Sequence, residues 1–128
     1  MAHVYSPGFL ALVADARPRV REVTIEQYRE RLAAGERWRL VDVREDHEWE
    51  AGHLPGAEHL SKGTIERDVE ERVPDRAEPV ALYCGGGFRS VLVADNLRKM
   101  GYTNVISIDG GFRGWVERGL PVTTEERA

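Results

Sequence analysis

Short apolar runs alternate with stretches of helical periodicity along this chain, a pattern that predicts an α/β domain. Positions 20–23 predict a short edge strand. Thr24 then reads as an N-cap: a helical face of Ile25, Tyr28, Leu32 and Ala33 begins just after it, and Gly35 stands where that helix should stop. Residues 39–43 predict a buried strand closing on the charged run Arg44-Glu45-Asp46. A helical turn over 45–50 follows, then Gly52-His53-Leu54-Pro55-Gly56, which regular helix does not accommodate. Another short strand falls at 57–60. Ser61 reads as the cap of a helix through Ile65, Val69 and Val73 that Pro74 stops.

The clearest buried strand is Pro79-Val80-Ala81-Leu82-Tyr83, bounded by its proline and by the glycines after Cys84, as a central parallel strand should be. Residues 90–100 have helical spacing, with Val91, Ala94, Leu97 and Met100 on one face and Gly101 as the stop. A further strand is expected at 104–108, and Phe112, Trp115 and Val116 mark a last helix ending at Gly119. Ahead of all this, residues 7–15 read as a short amphipathic helix docked on the domain. The tail from Thr123 is polar and expected to fray. The organisation is therefore a helical extension over 1–19, one domain over 20–123 and a polar tail over 124–128. No internal repeat or linker interrupts it.

A chain of 128 residues suits one domain and buries a core without disulfides. Its single cysteine rules out an internal disulfide and fits a reducing compartment, so a cytoplasmic location is expected. The net charge is −4, and residues 41–78 carry five basic against twelve acidic groups, a solvated acidic surface. No basic stripe is present, which argues against nucleic acid as a partner. No apolar run reaches the length of a membrane span. The N-terminus lacks the cationic start of a secretory signal, and Pro7-Gly8 interrupts its apolar stretch. His47, His53 and His59 recur every six residues, a spacing that fits no familiar ligand motif, so no metal is expected.

The chemistry concentrates in Cys84-Gly85-Gly86-Gly87-Phe88-Arg89-Ser90, where a buried strand ends and a helix begins. Free backbone N–H groups at such a junction converge on one centre, and successive glycines let the backbone curl around it. The result is an anion nest whose occupant is the Cys84 sulfur, held in the nucleophilic thiolate form by N–H donors and the helix N-terminus. Arg89 adds positive charge, and its planar fork suits sulfonate or carboxylate oxygens. Ser90 offers a hydroxyl donor. A lone strand-end cysteine is commonly a buried small hydrophobe. That reading leaves the shared six-residue setting of cysteine, glycines and arginine unexplained.

This loop and its surroundings resemble the rhodanese family of sulfurtransferases. Four segments match in order: Leu40-Val41-Asp42-Val43-Arg44-Glu45; Gly52-His53-Leu54-Pro55-Gly56-Ala57; residues 84–90; and Gly101-Tyr102 with Asn104-Val105, continuing through Asp109-Gly110-Gly111 to Trp115 and Gly119-Leu120-Pro121. The resemblance implies an open, mainly parallel sheet of about five strands flanked by helices on both faces. It also implies a ping-pong cycle without cofactors. Cys84 takes sulfur from a small anionic donor such as thiosulfate, 3-mercaptopyruvate or a persulfide. It then passes the sulfur to cyanide, a thiol or a sulfur-accepting protein. Asp42 and Arg44 are expected to brace the active loop, with Arg44 also able to face the substrate, and His53 to fix the 52–56 turn. Thiosulfate enzymes of the family usually carry a basic residue just after the cysteine. Here Gly85 and Gly86 stand there, which leaves the anion to Arg89.

Two other classes compete. Cell-cycle phosphatases on a related fold place one residue more between cysteine and arginine, enlarging the nest for phosphate, whereas only Gly85-Gly86-Gly87-Phe88 separate Cys84 from Arg89 here. The smaller ring favours sulfur over phosphate, and arsenate reduction on such a scaffold is a further alternative beside the phosphatase. A non-enzymatic binding module, or a relay to another protein, is the other alternative. Such modules often lack the cysteine that this chain keeps.

Overall fold

The computed structural model describes residues 4–125. Five strands form one parallel sheet: β1 (Arg21–Val23), β2 (Arg39–Asp42), β3 (Glu58–His59), β4 (Val80–Tyr83) and β5 (Val105–Ile108). Their order is β1-β5-β4-β2-β3. The helices are α1 (Pro7–Ala16), α2 (Ile25–Ala33), α3 (Asp46–Ala51), α4 (Ile65–Arg72), α5 (Arg89–Lys99) and α6 (Gly111–Glu117). None is long and apolar enough to cross a membrane.

Alternation along the strands sorts the core into two halves. Val41, Val80 and Leu82 pack with Ile65 and Val69 of α4 and with Val93 and Leu97 of α5. Leu40, Ala81, Tyr83, Ile106 and Ile108 pack instead with Ile25 and Tyr28 of α2, Trp49 of α3 and Trp115 of α6. Every residue of β4 is buried, as a strand covered on both faces requires. Each fully buried Val or Leu there contributes about 1.5–3 kcal/mol. The same alternation carries the next residue, Cys84, to the α4/α5 side.

Helix boundaries follow local chemistry. α2 opens with a capping box in which the Thr24 side chain accepts from the Gln27 amide at 3.0 Å and Gln27 returns a bond to the Thr24 amide at 2.9 Å. Gly35 follows its end with φ 91°. β2 leads outward to β3, whereas β4 leads through α5 to β5 on the opposite side. A crevice therefore opens beyond the C-terminal ends of β2 and β4, the usual ligand position in open α/β sheets.

Four expectations are corrected. Ser61 does not cap α4, which starts at Ile65 after Thr64; residues 61–64 form a turn closed by the Ser61 carbonyl, with Gly63 favouring the turn over another helical residue. Leu32 and Ala33 do not join the buried face of α2, both being exposed, Leu32 at 42%. Val116 likewise faces outward on α6. The tail does not fray at Thr123, which pairs antiparallel with His53 through two backbone bonds. Residues 126–128 of the expected tail lie outside the described residues. The expected N-terminal helix is present as α1, which docks Val13 and Ala16 against Val91 of α5.

Candidate active site

Cys84 is the first residue past β4 and is 1% exposed. Its Sγ accepts the Gly87 amide at 3.1 Å and the Ser90 amide at 3.4 Å. The Ser90 hydroxyl lies 3.5 Å from Sγ and 2.7 Å from the Ser107 hydroxyl on β5. The loop thus aims two backbone donors at sulfur, and Ser107 fixes the Ser90 side chain from the neighbouring strand. Gly87 sits at φ 101°, where a side chain would be strained. The start of α6 clips onto the same loop, Phe112 and Arg113 donating their amides to the Cys84 and Gly85 carbonyls at 2.8 and 2.9 Å.

A cleft of about 460 Å³ opens over the loop, lined by Cys84 and Gly86, by the aromatic rings of Tyr5, Phe9 and Phe88, and by Glu48, Arg89 and Arg113. The three rings touch, Tyr5 standing 4.6 Å from Phe88 and 5.5 Å from Phe9. Arg17 lies over the Phe88 ring at 5.1 Å.

Arg89, the expected anion anchor, is engaged by a carboxylate. Its two terminal nitrogens donate to Glu48 Oε1 and Oε2 at 2.7 and 3.1 Å, a bidentate pair. Arg89 holds the Glu48 carboxyl well below the usual range, at about 2, with a further bond from the Glu45 amide acting the same way. Glu48 in turn raises the Arg89 guanidinium. Glu48 was not among the residues expected at the site. The one signal available was the capping box of α3, Glu45 to Glu48, which turns the Glu48 side chain back toward the helix start.

Asp42 and Arg44 form a buried fork beneath the loop. Arg44 Nη2 donates to Asp42 Oδ2 at 2.8 Å and to the Gly52 carbonyl at 2.7 Å, and its guanidinium lies 4.1 Å from the Phe112 ring centre. The pair thereby ties the end of β2 to the 52–56 turn and to α6. Arg44 is 3% exposed and does not line the cleft, so it does not face a substrate from here. Tyr83, buried on the same side, has its phenol pushed up by burial and by Asp42, and its hydroxyl accepts the Leu54 amide at 3.1 Å. His53 braces the turn from the other side. Its ring stacks on Trp49 at 3.4 Å, and its nitrogens face the Trp49 and Glu125 carbonyls at 3.0 and 2.7 Å. His59 lies on Trp49 at 5.1 Å with Nε2 against the Arg44 carbonyl. Among the described residues, no three His, Cys, Asp or Glu side chains converge as a metal site would need.

Arg113, Tyr5 and Phe9 were also invisible as site residues in the sequence. Arg113 belongs to α6 and the aromatic pair to the N-terminal extension, so only tertiary packing brings them to Cys84.

The description of the rhodanese-like domain matches residues 24–118. Among curated relatives, YrkF of Bacillus subtilis, provisionally named a sulfur carrier protein, is 29% identical over 96 residues, which is 75% of this chain and 51% of YrkF. The chain therefore spans about half the length of that relative. A Rhodopseudomonas palustris protein of unknown function, described as a possible tyrosine phosphatase, superposes with TM-score 0.78 at 25% identity, covering 96% of this chain and 99% of that one. The human single-domain sulfurtransferase TSTD1 superposes with TM-score 0.68 at 27% identity, covering 77% and 97%. With the family's description spanning most of the chain over this parallel sheet and cysteine loop, the chain belongs to the rhodanese-like domain family.

Proposed function

We propose that this protein is a sulfurtransferase that carries sulfane sulfur as a persulfide on Cys84. The observation that carries the reading is the placement of Sγ at the end of the central strand, under two backbone N–H donors and beside an open cleft. Those donors favour negative charge at sulfur, and a persulfide is an anion of the same kind. The thiolate attacks the outer sulfur of thiosulfate; the S–S bond breaks with its electron pair leaving on sulfite, and Cys84 becomes the persulfide. With 3-mercaptopyruvate the C–S bond breaks instead, and the departing enolate takes a proton to give pyruvate. Cyanide then attacks the terminal sulfur, leaves as thiocyanate and returns the Cys84 thiolate. A thiol or a sulfur-accepting protein would discharge it in the same way. TSTD1 and YrkF, by their names, support sulfur transfer in this family setting.

A phosphatase reading attaches to the R. palustris neighbour. Two features weigh against it here. Only four residues separate Cys84 from Arg89. The guanidinium that would hold phosphate is closed on Glu48.

Intact-mass spectrometry after incubation with each donor, followed by cyanide, tests the proposal. The wild type is expected to gain one sulfur atom and release it as thiocyanate, while Cys84→Ser gains none and keeps the wild-type Tm. A wild type that loads no sulfur from thiosulfate, 3-mercaptopyruvate or a low-molecular-weight persulfide, yet hydrolyses p-nitrophenyl phosphate, would replace this reading with the phosphatase one.

A further inference from the structure

A second cation reaches the active loop from α6, held there by a residue of the N-terminal extension. Gly86 has no side chain, and the space where its Cβ would stand is taken by Arg113, whose Nη2 lies only 2.1 Å from that point. Nη1 of the same guanidinium lies 3.2 Å from the corresponding point on Gly85. Any residue larger than glycine at 86 would expel the guanidinium. Arg113 is anchored at its backbone by the Gly85 carbonyl, and at its tip Nη2 donates to the Tyr5 hydroxyl at 2.8 Å. Tyr5 is itself packed at a tilt against Phe88 of the loop, the ring centres 4.6 Å apart. It lies outside residues 24–118, on the N-terminal extension.

The charges in the cleft show what this arrangement does. Arg89 is matched by Glu48. Among the described residues, Arg113 forms no salt bridge, and its Nη2 donates to the Tyr5 hydroxyl. With Cys84 ionised, Glu48, Arg89 and the sulfur sum to a net negative site that repels an anionic donor. Arg113 brings that sum to neutral and offers a planar fork to a sulfonate or carboxylate.

The geometry points to Arg113 as the residue that anchors the anionic group of the sulfur donor, with Tyr5 as the positioning residue that holds its guanidinium over the loop. The donor class is a small molecule bearing a compact sulfonate or carboxylate, seated beside the Tyr5 and Phe88 rings. The inference rests on the sulfur-transfer reading for the word donor. The anion anchor itself can be measured without it.

Alkylation of Cys84 by iodoacetate and by iodoacetamide, followed by intact mass, reports the charge felt at sulfur independently of sulfur chemistry. Arg113→Ala is expected to lower the iodoacetate-to-iodoacetamide rate ratio about fivefold. It is also expected to raise the thiosulfate KM about tenfold, the scale of one charge-assisted contact, with kcat retained. Tyr5→Phe keeps the ring packed against Phe88 and drops the hydroxyl; it should shift the ratio in the same direction by a smaller factor, and Arg113→Lys should restore part of it. An unchanged ratio and KM in Arg113→Ala would overturn the anchor. A Tyr5→Phe protein identical to wild type in both readouts would remove Tyr5 from its positioning role. Should the wild type load no sulfur while Arg113→Ala still lowers the ratio, the anion anchor stands and the sulfurtransferase reading falls.

Discussion

At the scale of single residues, the Glu48–Arg89 pair sets both the geometry and the acid response of the site. The Glu48 carboxyl is depressed to about 2 by Arg89. A depressed carboxylate stabilises the fold fully above its unfolded value and loses that contribution as pH falls through the folded one. Both side chains are about a quarter exposed, so solvent screens the pair to about 1 kcal/mol. Urea titrations of wild type and Glu48→Gln should therefore differ by about that amount at pH 7 and converge between about pH 4.5 and 2. Cys84 was legible because a lone cysteine between a buried strand and a glycine run has a local signature. Glu48 was not, because it lies 41 positions from Arg89 and nothing in its own neighbourhood marks a partner.

Elements decide how the loop is held. The first turn of α6 lies against it, and Gly111 makes that approach possible: a Cβ there would stand 2.3 Å from the Cys84 carbonyl oxygen, at φ 51°. Gly111→Ala is expected to destabilise the fold by about 2 kcal/mol or more, read as a lower Tm. It should also displace α6 and with it Arg113, seen as the same loss of iodoacetate preference that Arg113→Ala produces. The Asp109-Gly110-Gly111 run was recognised in the sequence as part of a family pattern, but its contact with Cys84 was not. Strand and helix positions were legible to within a residue or two, since alternation and helical spacing report burial directly. The failures fell where a turn competes with a cap, at Ser61, and where a helix face is only partly covered, at Leu32.

Across the whole molecule, the N-terminal extension works as part of the domain. Val13 and Ala16 bury against α5, and Arg19 donates to Asp95 through Nε and Nη2 at 3.0 and 2.9 Å. Arg98 and Lys99 crowd the same carboxylate, which Arg19 holds well below the usual carboxylate range. Asp95→Asn should loosen the extension locally: amide exchange in α1 is expected to accelerate several-fold while β4 stays protected. Because Asp95 is depressed, its contribution is present at neutral pH and declines as pH falls below the ordinary Asp range. Wild type should therefore approach the variant in acid. The sheet-and-helix order, the central strand and the cysteine loop were readable along the chain, because each is written in contiguous residues whose hydrophobic period or glycine content acts locally. Which charged side chains meet at the loop depends on long-range packing. Glu48 closes on Arg89, and Arg113 and Tyr5, 108 positions apart, meet over Gly86. Side-chain charge pairing depends on distances that chain closure sets, and no local pattern encodes them.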